Sequence, residues 1–138
     1  MLYRPFVQYD TPEEYHQHFC QQYCNPDSLV TTFDSISVTF RPDDFYHAFF
    51  RGKPKAQFSQ DRALRINWIR EALSDSSAKL YLGWDKFGRR YTDRRRVCLV
   101  GGNYVTVIEL FGGTRGRFVT AFIADPWIVP QIRQSPEW

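Results

Sequence analysis

The sequence lacks any apolar run of about 18 residues, the length that a membrane-spanning helix needs. Its first ten residues also lack the apolar core of a signal peptide, so we expect a cytoplasmic protein without a membrane partner. The motifs of several enzyme classes are missing as well: there is no phosphate-binding loop, no G-x-S-x-G and no H-E-x-x-H. These absences exclude the nucleotide hydrolases, serine hydrolases and zinc proteases that those motifs define.

Cysteine is scarce, and an odd count of three in 138 residues does not indicate a disulfide framework. Cys20 and Cys24 lie near His16 and His18, which raises the question of zinc. A zinc site needs four well-spaced ligands, and Cys98 is far downstream in a predicted strand. The basic part of the chain has no cluster of acidic residues for Mg²⁺. The sequence therefore predicts no metal and no cofactor.

The chain is rich in aromatic residues, and its charges are unevenly distributed along the sequence. Residues 1–50 carry two arginines against seven acidic residues, whereas residues 51–138 carry sixteen basic against eight acidic residues. The net charge of the second part, +8, favours a polyanionic partner, although an ordinary solvated surface is the alternative. Twelve phenylalanines and 43% hydrophobic residues are enough for one well-packed domain.

The first half of the chain predicts one helix and two extended segments. Thr11 as a cap, Pro12 at the first helical position and two acidic residues after it begin a helix that runs to about Tyr23. Residues 35–40 alternate as a strand does. Periodicity does not decide between helix and strand for residues 45–50, which we interpret as an extended, buried segment.

A second helix is predicted over residues 60–74, with Ser59 as its cap. Arg62 shares the inward face of this helix with its apolar stripe, which consists of Ile66, Ile69 and Leu73. A buried charge without a partner is costly, so Arg62 must contact a polar group or line a polar cavity.

Strands follow this helix at about residues 79–84, 94–100, 104–111 and 117–123, and glycine-rich turns at 101–103 and 112–114 join the last three into an antiparallel meander. We therefore expect an α+β fold in which N-terminal helices pack on a roughly four-stranded antiparallel sheet. The expected organisation is a single domain, 1–138, made of an acidic N-terminal part (1–44), a core (45–124) and a tail (125–138) that wraps the surface.

His47 and the basic residues after it are the first candidate site. RNA cleavage requires a group that moves protons near neutral pH and cations that offset charge on the phosphate. His47 with Arg51, Lys53 and Arg62 contains both kinds of group. Thr120, between Phe118 and Phe122 on one predicted strand face, is a candidate to donate a hydrogen bond to a phosphate oxygen. A packed histidine beside a solvated basic loop is the alternative.

A second basic stretch alternates with aromatic residues, as in surfaces that bind a nucleic-acid strand. The candidate RNA-binding residues are Lys53, Arg65, Trp84, Arg89, Arg90, Tyr91, Arg94 and Arg96. The alternative is an exposed hairpin whose arginines only keep a sheet edge soluble.

Three segments in this order, HAFFR at 47–51, RALRINWI at 62–69 and FVTAF at 118–122, resemble the Barnase–EndoU–colicin–RelE (BECR) superfamily of nuclease toxin domains, in particular its phage-associated branch. The resemblance covers about residues 45–124. It implies a metal-independent ribonuclease that leaves 2′,3′-cyclic phosphate and 5′-hydroxyl ends, with His47, Arg62, Arg65 and Thr120 matching motif positions and Arg51 following from the first segment. Phe122 departs from the pattern, which often has tyrosine there.

The sequence thus predicts a toxin or phage-linked ribonuclease acting on cellular RNA such as tRNA, with RNA and an acidic antitoxin or immunity protein as partners. One alternative is an RNA-binding module without catalysis. Another is a toxin similar to ADP-ribosyltransferases, for which Glu109 is the one strand carboxylate.

Overall fold

The computed structural model describes residues 3–52 and 57–138, and the elements below belong to those ranges. The helices are α1 (Pro12–Phe19), which continues as a π-helical turn (Cys20–Cys24), α2 (Asp44–Phe49), α3 (Gln60–Ala63), α4 (Trp68–Leu73) and α5 (Val129–Arg133). The strands are β1 (Val30–Thr31), β2 (Ser37–Thr39), β3 (Phe50–Arg51), β4 (Gln57–Phe58), β5 (Lys79–Asp85), β6 (Arg90–Val100), β7 (Tyr104–Leu110) and β8 (Arg115–Ile123).

One mixed sheet organises the fold, with the strand order β1-β2-β8-β7-β6-β5. The α+β class and the antiparallel meander of β6, β7 and β8 are confirmed. The four-stranded antiparallel sheet is wrong, because β1 and β2 extend it to six strands and β2 runs parallel to β8, with Ser37 opposite Arg115. The alternation within a three-residue strand indicates which face is buried, but it carries no information about a partner so distant in the chain.

The prediction of an extended segment at residues 45–50 is wrong, since Asp44–Phe49 is the helix α2. Phe45, Ala48 and Phe49 are buried, and their i, i+3, i+4 spacing directs all three toward the core. Asp44 supports the start of the helix, where its carboxylate accepts a hydrogen bond from the Arg41 backbone N at 2.8 Å.

The helix predicted over residues 60–74 is in fact two short helices separated by residues 64–67. Its cap is confirmed, because the Ser59 hydroxyl accepts a hydrogen bond from the Arg62 backbone N at 3.3 Å. The break has a visible cause: the Leu64 carbonyl accepts from the Val7 backbone N, and the Ile66 carbonyl accepts from the Tyr23 hydroxyl. Distant parts of the chain thus take carbonyls that a continuous helix would use internally.

A bulge in β8 changes which residues share a face. Phe118 lies opposite Ile108 and Thr120 lies opposite Val107, so Val119 is an extra residue in the ladder. Phe118 is buried in the core beneath the helices, whereas Thr120 and Phe122 belong to the other face. The predicted shared face of Phe118, Thr120 and Phe122 is therefore wrong.

The two faces of the sheet have different covers. Helices α1 to α4 bury the aromatic core on one face. On the other face the tail packs Ile128, Val129 and Ile132 of the α5 segment against a smaller apolar cluster. The tail then runs along β5, where Glu137 pairs with Tyr81. In the described ranges no helix is both long enough and apolar enough to cross a membrane.

Candidate functional site

Three elements meet at one corner of the molecule, where α2 and α3 pack against β8. His47 lies on the exposed side of α2, and Arg51 follows in β3, where it pairs with Gln57. Arg62 lies in α3, held there by the Ser59 cap. We call this place the arginine corner, defined by Arg51, Arg62 and Phe122.

The half-buried Arg62 side chain is the centre of this corner. Its Nη1 donates a hydrogen bond to the Ala48 carbonyl of α2 at 3.0 Å. Its guanidinium carbon lies 5.2 Å from the centre of the Phe122 ring in β8. These two contacts fix the orientation of the guanidinium group and leave other N–H donors for an incoming ligand.

Within the described residues no carboxylate forms an ion pair with Arg51 or Arg62. Asp61 is the acidic neighbour of Arg62 in sequence, but its carboxylate lies 2.8 Å from Arg65 Nη1. Burial, and then the positive charge of Arg51, lower the pKa of Arg62, and the charge of Asp61 offsets this only in part. Two like charges held together at a half-buried position favour an anion as ligand.

Thr120 lies two residues before Phe122 on the same face of β8 and is partly exposed. The spacing along a strand places it roughly 7 Å from Phe122. His47 precedes Ala48, whose carbonyl accepts from Arg62. The structure therefore brings Arg51 and Arg62 together at the corner, while His47 lies on the exposed side of α2 and Thr120 on the adjoining strand. Lys53, the other residue predicted there, lies outside the described residues.

The hairpin of β5 and β6 extends beyond the sheet as an arm, which we define as residues 83–94. Trp84 is 50% exposed and Phe87 is 90% exposed. Trp84 and Tyr91 face each other across the hairpin, with ring centres 5.1 Å apart in an edge-to-face arrangement. Lys86 lies 5.6 Å from the Phe87 ring. Exposed rings and cations are thus combined on one projecting element.

The arm also carries the predicted arginines. Arg89, Arg90 and Arg94 are exposed, and none of the ion pairs formed within the described ranges includes them. Asp85 is occupied by the turn, where its carboxylate accepts from the Phe87 backbone N at 3.0 Å. The structure therefore brings together the residues of the second basic stretch on the arm: Trp84, Arg89, Arg90, Tyr91 and Arg94.

Two other predicted RNA-binding arginines have internal partners instead. Arg65 bonds to Asp61 and lies over the rings of Phe6 and Trp68, at 4.7 and 5.3 Å. Arg96 is only 2% exposed, because β6 directs it into the molecule rather than to solvent. Both side chains are thus engaged within the protein.

Arg96 makes a forked ion pair with the Asp34 carboxylate, at 2.7 and 3.1 Å. The rings of Phe33 and Trp138 lie 5.9 and 5.4 Å from its guanidinium carbon. Hydrogen bonding to Arg96 holds the pKa of Asp34 below its ordinary value of 3.8. Arg96 therefore ties the loop before β2 and the tail to the sheet.

Two clefts border the arm at the end of the sheet. One, of about 540 Å³, has Trp84 and Arg95 among its lining residues, and the other, of about 840 Å³, includes Asp34 and Trp138. Arg94 lines both clefts. Glu109 also lines both, and its carboxylate is paired with Arg117 at 3.3 Å.

The two histidines of the N-terminal helix have protein partners. His18 lies between the Tyr9 hydroxyl, at 2.9 Å, and the Asn67 side-chain oxygen, at 2.7 Å. His16 Nε2 is 3.2 Å from the Pro42 carbonyl. Within the part of the chain that the structure describes, no three His, Cys, Asp or Glu side chains are grouped as metal ligands would be.

Sequence reasoning missed the roles of Phe122 and Gly83. In the sequence Phe122 stands out as a neighbour of Thr120 and as a departure from a motif, but nothing there indicates that Arg62 lies over its ring. Gly83 interrupts the strand predicted over residues 79–84, and a glycine inside a strand often marks a bulge or a close approach. That signal was available in the sequence.

Comparisons with models of known protein families, with curated proteins and with solved structures found no match.

Proposed function

We propose that this protein is a metal-independent ribonuclease of the BECR type that cleaves cellular RNA at the arginine corner and holds the strand with the arm. The observation that carries the proposal is the half-buried Arg62, oriented by Ala48 and Phe122, beside Arg51 and without a carboxylate partner in the described residues. Burying such a charge is costly unless a ligand compensates it, and an RNA phosphate does so.

The proposed reaction needs no group beyond those at the corner and water. The RNA 2′-hydroxyl oxygen attacks the adjacent phosphorus, and the bond from phosphorus to the 5′-oxygen breaks. His47 serves in proton transfer, either taking the proton of the 2′-hydroxyl or supplying one to the 5′-oxygen, and water serves in the other step. The products are a 2′,3′-cyclic phosphate and a 5′-hydroxyl.

Arg51 and Arg62 stabilise the negative charge that accumulates on the phosphate oxygens in the transition state. Thr120 positions the phosphate by donating a hydrogen bond from its hydroxyl. The Phe122 ring holds the guanidinium of Arg62 in place, so that it does not reorganise during the reaction. Phenylalanine has no proton to transfer, which is why the proton role falls to His47 in this account.

The arm binds RNA that flanks the cleaved bond. Its exposed rings stack on bases, and its arginines contact phosphates. Such a cationic surface fits an acidic antitoxin or immunity protein as an inhibitor. A toxin-type enzyme with tRNA among its substrates, acting in the cytoplasm, is consistent with this arrangement.

The second candidate function is an RNA-binding module without catalysis. The observation that favours it is that the arm combines exposed rings with exposed arginines that form no ion pair within the described residues. RNA binding by these groups requires no reaction at the corner. Such a module would hold RNA in a strongly salt-dependent way and release it unchanged.

The test is incubation of the purified protein with total RNA in EDTA, beside the His47→Ala variant, with analysis of the product ends. We expect discrete fragments that end in cyclic phosphate, and their loss with His47→Ala while the unfolding temperature stays the same. Intact RNA that is retarded in a gel would support the binding module instead. Equal cleavage by both proteins would contradict the role of His47.

A further inference from the structure

The arm leaves the sheet at a bulge that exposes two arginines. Leu82 pairs with Arg96 but Gly83 pairs with Thr92, so residues 93–95 have no partner in β5. Arg95 still lies opposite Glu109 of β7. Bulges of this kind redirect side chains and are frequent beside functional sites. Here the bulge places Arg94 and Arg95 at the 540 Å³ cleft.

Gly83 determines the path of the Arg95 side chain. A Cβ atom at Gly83 would lie 2.4 Å from Arg95 Cγ and 2.8 Å from its Cβ and Cδ. The side chain of Arg95 therefore crosses β5 directly over Gly83, through space that any other residue would fill. Arg95 and Trp84 both line the 540 Å³ cleft.

The cleft combines an exposed ring with cations whose charge is not neutralised. Within the described residues Lys86, Arg94 and Arg95 form no ion pair, whereas the two acidic residues of the cleft are already engaged. Asp85 accepts the hydrogen bond of the arm turn, and Glu109 is paired with Arg117. The volume, 540 Å³, is within the range of about 300–1,000 Å³ typical of small-ligand sites.

We infer that this cleft is a binding slot for a single unpaired ribonucleotide, whose base stacks on Trp84 and whose phosphate is bound by Arg94 and Arg95. A base within a duplex is already stacked on both sides and cannot enter, so the slot selects single-stranded or looped RNA. This inference rests on the proposed function only in taking RNA as the ligand. It adds the substrate class and makes Gly83 a positioning residue.

The slot is separate from the arginine corner. Along β8 Arg117 and Phe122 are five residues apart, and Arg95 in β6 lies two strand spacings from Arg117, with Glu109 of β7 between them. Strand geometry makes the distance between the two sites roughly 20 Å. A strand several nucleotides long is therefore required to occupy both sites, and short oligonucleotides report on the slot alone.

The experiment measures binding of a fluorescent 2′-O-methyl oligonucleotide of four nucleotides, which has no free 2′-hydroxyl and cannot be cleaved. The variants are Trp84→Ala and Gly83→Ala. Their matched controls are Trp127→Ala, an exposed tryptophan in the tail, and Gly113→Ala, where an added Cβ meets no atom within 4 Å. Unfolding temperatures are compared for all four variants.

We expect Trp84→Ala to weaken binding about tenfold, because stacking on one base contributes about that factor. Gly83→Ala should weaken it several-fold, because the added methyl displaces Arg95, and both controls should bind as the unchanged protein does. Binding of the single strand should survive competition by a duplex of the same sequence. Unchanged affinity in Trp84→Ala, or equally effective competition by duplex RNA or polyglutamate, would overturn the slot.

The design keeps the two proposals distinguishable. If both substitutions, Trp84→Ala and Gly83→Ala, weaken oligonucleotide binding but the protein leaves total RNA intact, the slot proposal is supported and the ribonuclease proposal is contradicted. If the protein cleaves total RNA but neither substitution changes its affinity for the oligonucleotide, the ribonuclease proposal is supported and the slot proposal is contradicted.

Discussion

Arg96 and Arg62 are both drawn into the molecule, but their surroundings differ in one respect. Arg96 is almost fully buried, and a forked ion pair with Asp34 and two aromatic rings compensate its charge. Arg62 has a backbone carbonyl and one ring as partners, and two charges act on it, that of Arg51 and, more weakly, that of Asp61. The comparison teaches that burial alone does not identify a functional arginine. The informative feature is that Arg62, unlike Arg96, forms no ion pair with a carboxylate of the described residues.

The largest effect that we expect from this comparison is on stability. Arg96→Ala removes the forked ion pair and the packing between Phe33 and Trp138, and should lower the free energy of unfolding by about 3 kcal/mol. Urea denaturation measures this. Arg133→Ala, in the tail helix, is the control and should change it by less than about 0.5 kcal/mol. If Arg96→Ala is as stable as the unchanged protein, the claim that Arg96 is a structural residue is contradicted.

A smaller effect should appear in Asp34→Asn, which weakens the same pair without creating a cavity. The expected cost near pH 7 is about 1 kcal/mol, since Asp34 is 36% exposed. The pKa of Asp34 is lower in the folded than in the unfolded protein, so its contribution is present above the ordinary value of 3.8 and is lost as the pH falls through the folded-state pKa.

The unchanged protein should therefore lose stability more steeply than Asp34→Asn below about pH 4, as followed by urea denaturation at several pH values. Parallel pH profiles for the two proteins would contradict the assignment of this ion pair as a source of acid sensitivity.

The smallest stability effect should come from Arg62→Ala. This substitution removes one hydrogen bond to a carbonyl and one ring contact, but it also relieves repulsion with Arg51. The net loss should be under about 1 kcal/mol by urea denaturation. A loss as large as that of Arg96→Ala would show that Arg62 is primarily a structural residue.

Local signals in the sequence were sufficient for part of the fold. The Thr11 and Ser59 caps and the glycine turns of the meander depend on nearby residues, and the structure confirms them. The parallel pairing of β2 with β8 and the break at residues 64–67 depend on distant partners, which no local pattern encodes.

The candidate site shows the same division. Charge and residue type were enough to select Arg62 and the arm, but they also selected Arg96 and Arg65. Whether an arginine within a basic stretch faces solvent or a distant carboxylate depends on strand register and bulges. The bulge at residues 93–95 separates Arg94, which lines the clefts, from the buried Arg96 two positions later.

The central claim is that Arg62 is held for an RNA phosphate. The measurement that tests it most directly is the initial rate of RNA cleavage in EDTA by the unchanged protein, Arg62→Ala and Arg133→Ala. The account predicts that Arg62→Ala lowers the rate by at least about 100-fold and that Arg133→Ala leaves it unchanged. All three proteins should remain folded. Cleavage by Arg62→Ala at the unchanged rate would contradict the account.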